Sequence, residues 1–291
     1  GRAVETLSFL FETIRAVGER AVIISFETGK KESLSGNDFT ALIEAGAARL
    51  IENHGAGPNR RFAVFAAPSI GSVIATLTVL RSGATLVPID TQFADETLTS
   101  VLDDAELSGA WCDSRRCSRL EALRPALARL PVEAFGSEGH NHREFPSRSA
   151  DNPAALFYTS GTTGAPKGVP LSERNLAYQF EILRDSGLVG PGDRLLLPLP
   201  LHHVYPVVIG LLASLALGLT VVLPRSLTGR EVLRAAAESE STVMIGVPRL
   251  YRAPLEGRLL LGRCRPRMPR SRRRKGPVDP LQRFPAALWM H

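Results

Sequence analysis

Cysteine is scarce in this chain, with three among 291 residues, too few for the disulfide framework of a small secreted domain. Cys112 and Cys117 have no second pair and no histidines at zinc-ligand spacing, so no metal-binding residue is assigned. We expect the thiols to be reduced, as in a cytoplasmic protein. Apolar runs of membrane length are also missing. The nearest, 207–223, is interrupted by Gly210, Ser214, Gly218 and Thr220 and stops at Pro224. It falls short of the roughly 20 residues a spanning helix needs and reads as a buried helix followed by a buried strand. Residues 1–20 pattern as an amphipathic helix without the apolar centre of a secretion signal. The chain opens on Gly1 instead of Met, which suggests a fragment or a processed chain.

Acidic residues are nearly absent from one stretch. Residues 258–291 hold ten basic residues and a single acid, Asp279, whereas the preceding part is slightly acidic. The net charge of +6 therefore belongs to a terminal tract, and the body carries no signal for nucleic acid. That tract has little hydrophobic period and many Arg and Pro, a composition unable to bury enough apolar surface to order itself. We expect it to be disordered or to derive from a shifted reading frame. Its remaining reading is a basic arm for RNA or for peripheral contact with an anionic membrane.

What is present upstream is globular: 44% hydrophobic and 22% charged residues, enough for a sizeable core. Helical and strand patterns alternate. Leu7, Leu10, Phe11, Ile14 and Val17 share one helical face. Phe39, Leu42, Ile43, Leu50 and Ile51 mark a second helix closing near Gly55, Ile70 to Leu80 a third, and Leu98, Val101 and Leu102 a fourth. Short apolar strands are expected at 21–26, 62–65, 85–87, 110–112, 154–158, 169–171 and 242–247. Ser172 can cap a helix carrying Leu176, Phe180 and Leu183, and Thr228-Gly-Arg-Glu231 has the spacing of a capping box. Continuous apolar strands between helices favour an α/β fold with mostly parallel sheets covered on both faces. A polar stretch, 136–153, reads as an exposed connecting loop. We expect one incomplete domain over residues 5–257, followed by the 258–291 tail.

The segment that carries chemistry is Tyr158-Thr-Ser-Gly-Thr-Thr-Gly-Ala-Pro-Lys-Gly-Val169. Gly161 and Gly164 allow tight turns that aim N–H groups at an anion. Thr159, Ser160, Thr162 and Thr163 add neutral donors, and Lys167 adds a positive point charge. Such a set suits a triphosphate. It is not the P-loop of the common nucleotide hydrolases, because Pro166 stands at the second glycine position and Gly168 where a metal-binding hydroxyl is required.

This segment resembles the phosphate-binding signature of the adenylate-forming superfamily, which includes acyl-CoA synthetases, beetle luciferases and peptide-synthetase adenylation domains. Other segments agree in order: Leu34-Ser-Gly-Asn-Asp-Phe39, Leu80-Arg-Ser-Gly-Ala-Thr-Leu-Val-Pro-Ile-Asp90, Pro198-Leu-Pro-Leu-His-His-Val-Tyr205, and 243–251 with Gly246-Val-Pro248. The resemblance implies the N-terminal part of the adenylate-forming fold without its C-terminal domain. It also implies a two-step reaction: a carboxylate attacks the α-phosphate of ATP with Mg²⁺, and a thiol, usually coenzyme A, then displaces AMP. By the same resemblance Thr159, Ser160, Gly161, Thr162, Thr163, Gly164 and Lys167 contact the phosphates, and His203 lies near the carboxylate and α-phosphate. Pro88 and Asp90 are expected to serve structure, Trp111 and Cys112 to be core, and His202 is the weaker histidine.

The acid is expected to be a medium- or long-chain fatty acid, from the apolar segment after His203. An aryl-acid ligase, a carrier-protein ligase and a non-catalytic nucleotide-binding remnant stay open. The family's adenine strand, ribose-holding Thr-Gly-Asp and C-terminal lysine are not found in residues 258–291. We therefore expect this chain alone to be inactive.

Overall fold

The computed structural model describes residues 6–136, 144–159 and 166–246. Helix α1 (Leu7–Val17) leads through Gly18 to strand β1 (Ala21–Ser25), which turns back as β2 (Glu32–Ser35). Helix α2 (Gly36–His54) follows at once, because the Ser35 hydroxyl accepts the Asp38 N–H at its first turn. Then β3 (Arg61–Phe65), α3 (Ile70–Arg81), β4 (Thr85–Pro88), α4 (Asp95–Ala105), β5 (Gly109–Cys112), α5 (Ser114–Leu123) and β6 (Arg129–Pro131) alternate along the chain. The hairpin β7 (Pro153–Thr159) and β8 (Lys167–Ser172) leads into α6 (Glu173–Asp185) and β9 (Arg194–Leu196). A π-helix, Pro206–Ala213, continues as α7 (Ser214–Ala216). Strand β10 (Thr220–Leu223), helix α8 (Gly229–Ser239) and strand β11 (Val243–Met244) complete the described part.

Two sheets result. One has the order β6-β5-β3-β4-β7-β8, parallel except for β8; the other has the order β11-β9-β10-β1-β2, parallel except for β2. Each strand divides its residues between two faces, as the two-residue period requires. In β3, Phe62 and Val64 join the main core while Ala63 and Phe65 face α4 and α5; in β1, Ile23 joins the main core while Ile24 faces α8. The main core, with Leu10, Phe39, Ile43, Leu77 and Phe180, lies between the sheets and is filled by α1, α2, α3, α6 and the π-helix. Strands buried on both faces read as continuous apolar runs for this reason.

Several expectations change. The helix–strand reading of 207–223 holds, although the helix has π spacing. Gly210 permits its close approach to the chain beyond β9, since a Cβ there would lie 2.5 Å from Leu197 Cδ1. Val207, Val208, Leu211 and Leu212 are all buried in the main core, in line with the buried helix expected there. Ser172 caps α6 with Asn175 returning the bond, but Thr228 makes no side-chain cap; its hydroxyl pairs with Ser226 instead, at 3.0 Å. Trp111 and Cys112 are core. The expectation of reduced thiols is corrected at Cys112 and Cys117, which form a disulfide across the β5–α5 turn, where their Cα atoms stand 5.2 Å apart. Reduced cysteine therefore no longer argues for a cytoplasmic location. Among the described residues no helix is long and apolar enough to cross a membrane. The 258–291 tail lies outside the described residues.

Candidate functional site

Parallel strands collect their carboxyl ends on one side of a sheet, where loops of different origin meet and ligands commonly bind. Strands β4 and β7 are parallel neighbours with Leu86 opposite Ala155. Four residues beyond that pair lie Asp90 and Thr159, so both emerge at the same sheet end. Thr159 closes β7 and Lys167 opens β8, directly opposite each other in the antiparallel register, and both are exposed. The two ends of the phosphate-type segment are thus held together by a hairpin. Ser160, Gly161, Thr162, Thr163 and Gly164 lie outside the described residues.

The hairpin is anchored on both sides. Tyr158 is buried and its hydroxyl donates to Asp104 Oδ2 on α4 at 2.6 Å. Burial, and then the neighbouring Asp104 carboxylate, push the phenol above its ordinary pKa, so it stays a donor. Gly168 is closely packed: a Cβ there would stand 3.0 Å from Leu156 and 3.4 Å from the Tyr158 ring. On the far side β8 runs straight into α6 through the Ser172 cap.

His202 and His203 come from the second sheet, in the turn between β9 and the π-helix. The His203 carbonyl accepts the Val207 N–H at 3.2 Å, which puts the residue at the helix entrance, and its side chain is exposed. His202 is largely buried. Its Nε2 stands 3.4 Å from Asp90 Oδ2, and its ring lies 4.2 Å from the His203 ring, tilted by 57°. Burial pushes the His202 pKa down to about 4, against the upward pull of Asp90, with His203 adding to the fall. The ring is neutral at neutral pH.

The carboxyl ends of the two sheets therefore meet through Asp90 and His202. Lys167, Thr159 and His203 were named from the sequence; the contact between Asp90 and His202 was not, and spacing could not have revealed it. Its one sequence signal is that both residues follow shortly after strands. The Thr159 hydroxyl and the Lys167 ammonium at the loop end of a hairpin suit a polyanion. Among the described residues no group of three or more His, Cys, Asp or Glu could hold a metal ion.

A family model described as "AMP-binding enzyme" matches residues 10–268, and the chain belongs to that family of AMP-forming ligases and adenylation domains. Sulfoacetate–CoA ligase from Cupriavidus necator is 32% identical over 184 residues, 59% of this chain and 36% of the relative. Oxalate–CoA ligase from Arabidopsis thaliana is 29% identical over 76% of this chain and 45% of the relative. Among solved structures, ATP-bound MatB from Rhodopseudomonas palustris superposes with a TM-score of 0.75 at 25% identity, covering 86% of this chain and 51% of that one. The chain thus spans about a third to a half of the length of these relatives.

Proposed function

We propose that this chain supplies the triphosphate-holding part of an acid–thiol ligase. In that reaction a carboxylate oxygen attacks the α-phosphorus of ATP and pyrophosphate leaves; a thiol such as coenzyme A then attacks the acyl carbon and AMP leaves. The observation that carries the reading is the β7–β8 hairpin, which brackets a Gly/Thr/Ser segment with Thr159 and Lys167 at the carboxyl end of a parallel sheet. Charge builds on the leaving pyrophosphate, and fixed donors beside a cation lower that barrier. Ser160, Gly161, Thr162, Thr163 and Gly164 belong to this reading through the sequence signature. Lys167 is the cation, and His203 is assigned to the acid and α-phosphate side through the resemblance of the 198–205 segment. Mg²⁺ arrives on the ATP phosphates and neutralises them; no side chain of this chain is assigned to it.

The acid is a carboxylic acid of open class. The apolar segment on which a medium- or long-chain fatty acid is expected has Val207, Val208, Leu211 and Leu212 in the core, so it does not single out that acid. The two ligase relatives are named for the small polar acids oxalate and sulfoacetate. Calorimetric titration of the purified chain with Mg-ATP tests the reading. We expect binding, weakened roughly tenfold or more in Lys167→Ala, the scale of one lost charged hydrogen bond. Equal affinity in both proteins removes Lys167 from its role. Pyrophosphate release is then measured with octanoate, palmitate, benzoate, oxalate and sulfoacetate. We expect none in steady state from this chain alone, and sustained release with any acid overturns the binding-only reading and names the acid class.

A further inference from the structure

We infer that Asp90 is a positioning residue of this site: from the end of β4 it holds the His202 ring by its Nε2 edge, and that ring sets the position of His203. The inference rests on the phosphate-site reading for its purpose, and on the contacts alone for its geometry. The two carboxylate oxygens of Asp90 have separate duties. Oδ1 accepts the Gln92 N–H at 2.8 Å, which fixes the carboxylate in its turn, and Oδ2 faces His202 Nε2 at 3.4 Å. A carboxylate facing one nitrogen of a neutral imidazole stabilises the proton on that nitrogen, so the inferred arrangement assigns His202 the Nε2–H tautomer. The second contact of that ring is the His203 ring, tilted by 57° with its centroid 4.2 Å away; the His203 side chain is exposed and takes its direction from this support.

The arrangement explains why a carboxylate stands so near a histidine that remains neutral. Burial of His202 outweighs the attraction of Asp90, so the pair is an orienting contact and not an ion pair that passes a proton. The other titratable group bearing on His202 is His203. Asp90 also lies at the sheet end from which Thr159 emerges. The carboxylate thus holds the histidine turn of one sheet at the end of the other sheet from which the phosphate hairpin emerges.

The test uses the whole chain labelled with ¹⁵N in its histidine rings. His202→Gln and His203→Gln assign the signals, and His54 on α2 serves as the internal control. In the parent chain His202 should show a protonated Nε2 and an unprotonated Nδ1 at neutral pH. In Asp90→Asn the Oδ1 acceptor for Gln92 remains, but the amide NH₂ now faces His202. The imidazole must then accept at Nε2, so the two ¹⁵N signals of His202 exchange character, and the His203 signals shift while those of His54 do not. Asp90→Ala should leave His202 a mixture of tautomers. An unchanged His202 tautomer in Asp90→Asn overturns the inference, as does a tautomer exchange that leaves His203 unmoved. Adding Mg-ATP to the same samples reads the underlying site separately. No response to Mg-ATP in the parent sinks the phosphate reading, and the tautomer result still stands or falls by itself.

Discussion

At the scale of single residues the site depends on side chains whose surroundings override their ordinary chemistry. His202 shows this most clearly, because its consequence reaches stability. An unfolded histidine titrates near 6.5, whereas burial holds the folded one at about 4. Between those values the unfolded chain binds more protons, so stability rises with pH through this window and is lost as pH falls from 6.5 toward 4. The loss between neutral pH and about pH 5 is on the order of 1–2 kcal/mol, after reduction for the ring's partial exposure. Urea unfolding at several pH values should show it, and His202→Gln should flatten the profile over that window while leaving the region above pH 7 nearly unchanged. A profile equally steep in the variant would assign the acid loss to another group.

At the scale of elements two helix starts with similar sequences behave differently. Ser172 accepts the Asn175 N–H at 3.2 Å at the start of α6, whereas Thr228 makes no such bond at the start of α8. Ser172→Ala should therefore cost about 1 kcal/mol, and Thr228→Ala only a few tenths, both read as shifts in urea midpoint. Equal costs would mean that Thr228 caps in solution. The contrast also marks what the sequence made legible. Helices with a clear apolar face, such as α1 with Leu7, Leu10 and Ile14 buried, follow from local periodicity. So do the strands β1, β3, β4, β5 and β7, and the phosphate segment is readable because glycines, hydroxyls and a lysine are packed into a dozen residues. Strands β6 and β9, three residues each, were not anticipated: each exists through pairing with a partner brought by the fold, Trp111 opposite Leu130 and Val221 opposite Leu195. The Asp90–His202 contact was hidden for the same reason, and the partner of the Thr228 hydroxyl is a matter of side-chain geometry that motif spacing does not encode.

At the scale of the whole molecule the two sheets are clamped around one core by a buried ion pair. Arg148, with its side chain 2% exposed, stands 3.5 Å from Glu173 at the start of α6 and donates to the Ala84 carbonyl just before β4, while Glu173 accepts the Leu7 N–H at the start of α1. Three remote parts of the chain converge on this pair. Arg148→Ala leaves the Glu173 carboxylate buried without its partner and should cost about 3–5 kcal/mol; a Glu173→Gln change in the same chain should recover part of that loss. A cost below 1 kcal/mol, measured by urea unfolding, would show that water reaches the pair. The order of the second sheet has a temporal consequence as well. Strand β1 pairs Ile23 with Val221 of β10, a partner that leaves the ribosome almost two hundred residues later. At the usual 5–20 residues per second that is a delay of roughly 10–40 s. During that interval the edge of β1 that later meets β10 is bare, and a chaperone that shields it would act on this segment before its partner strand exists.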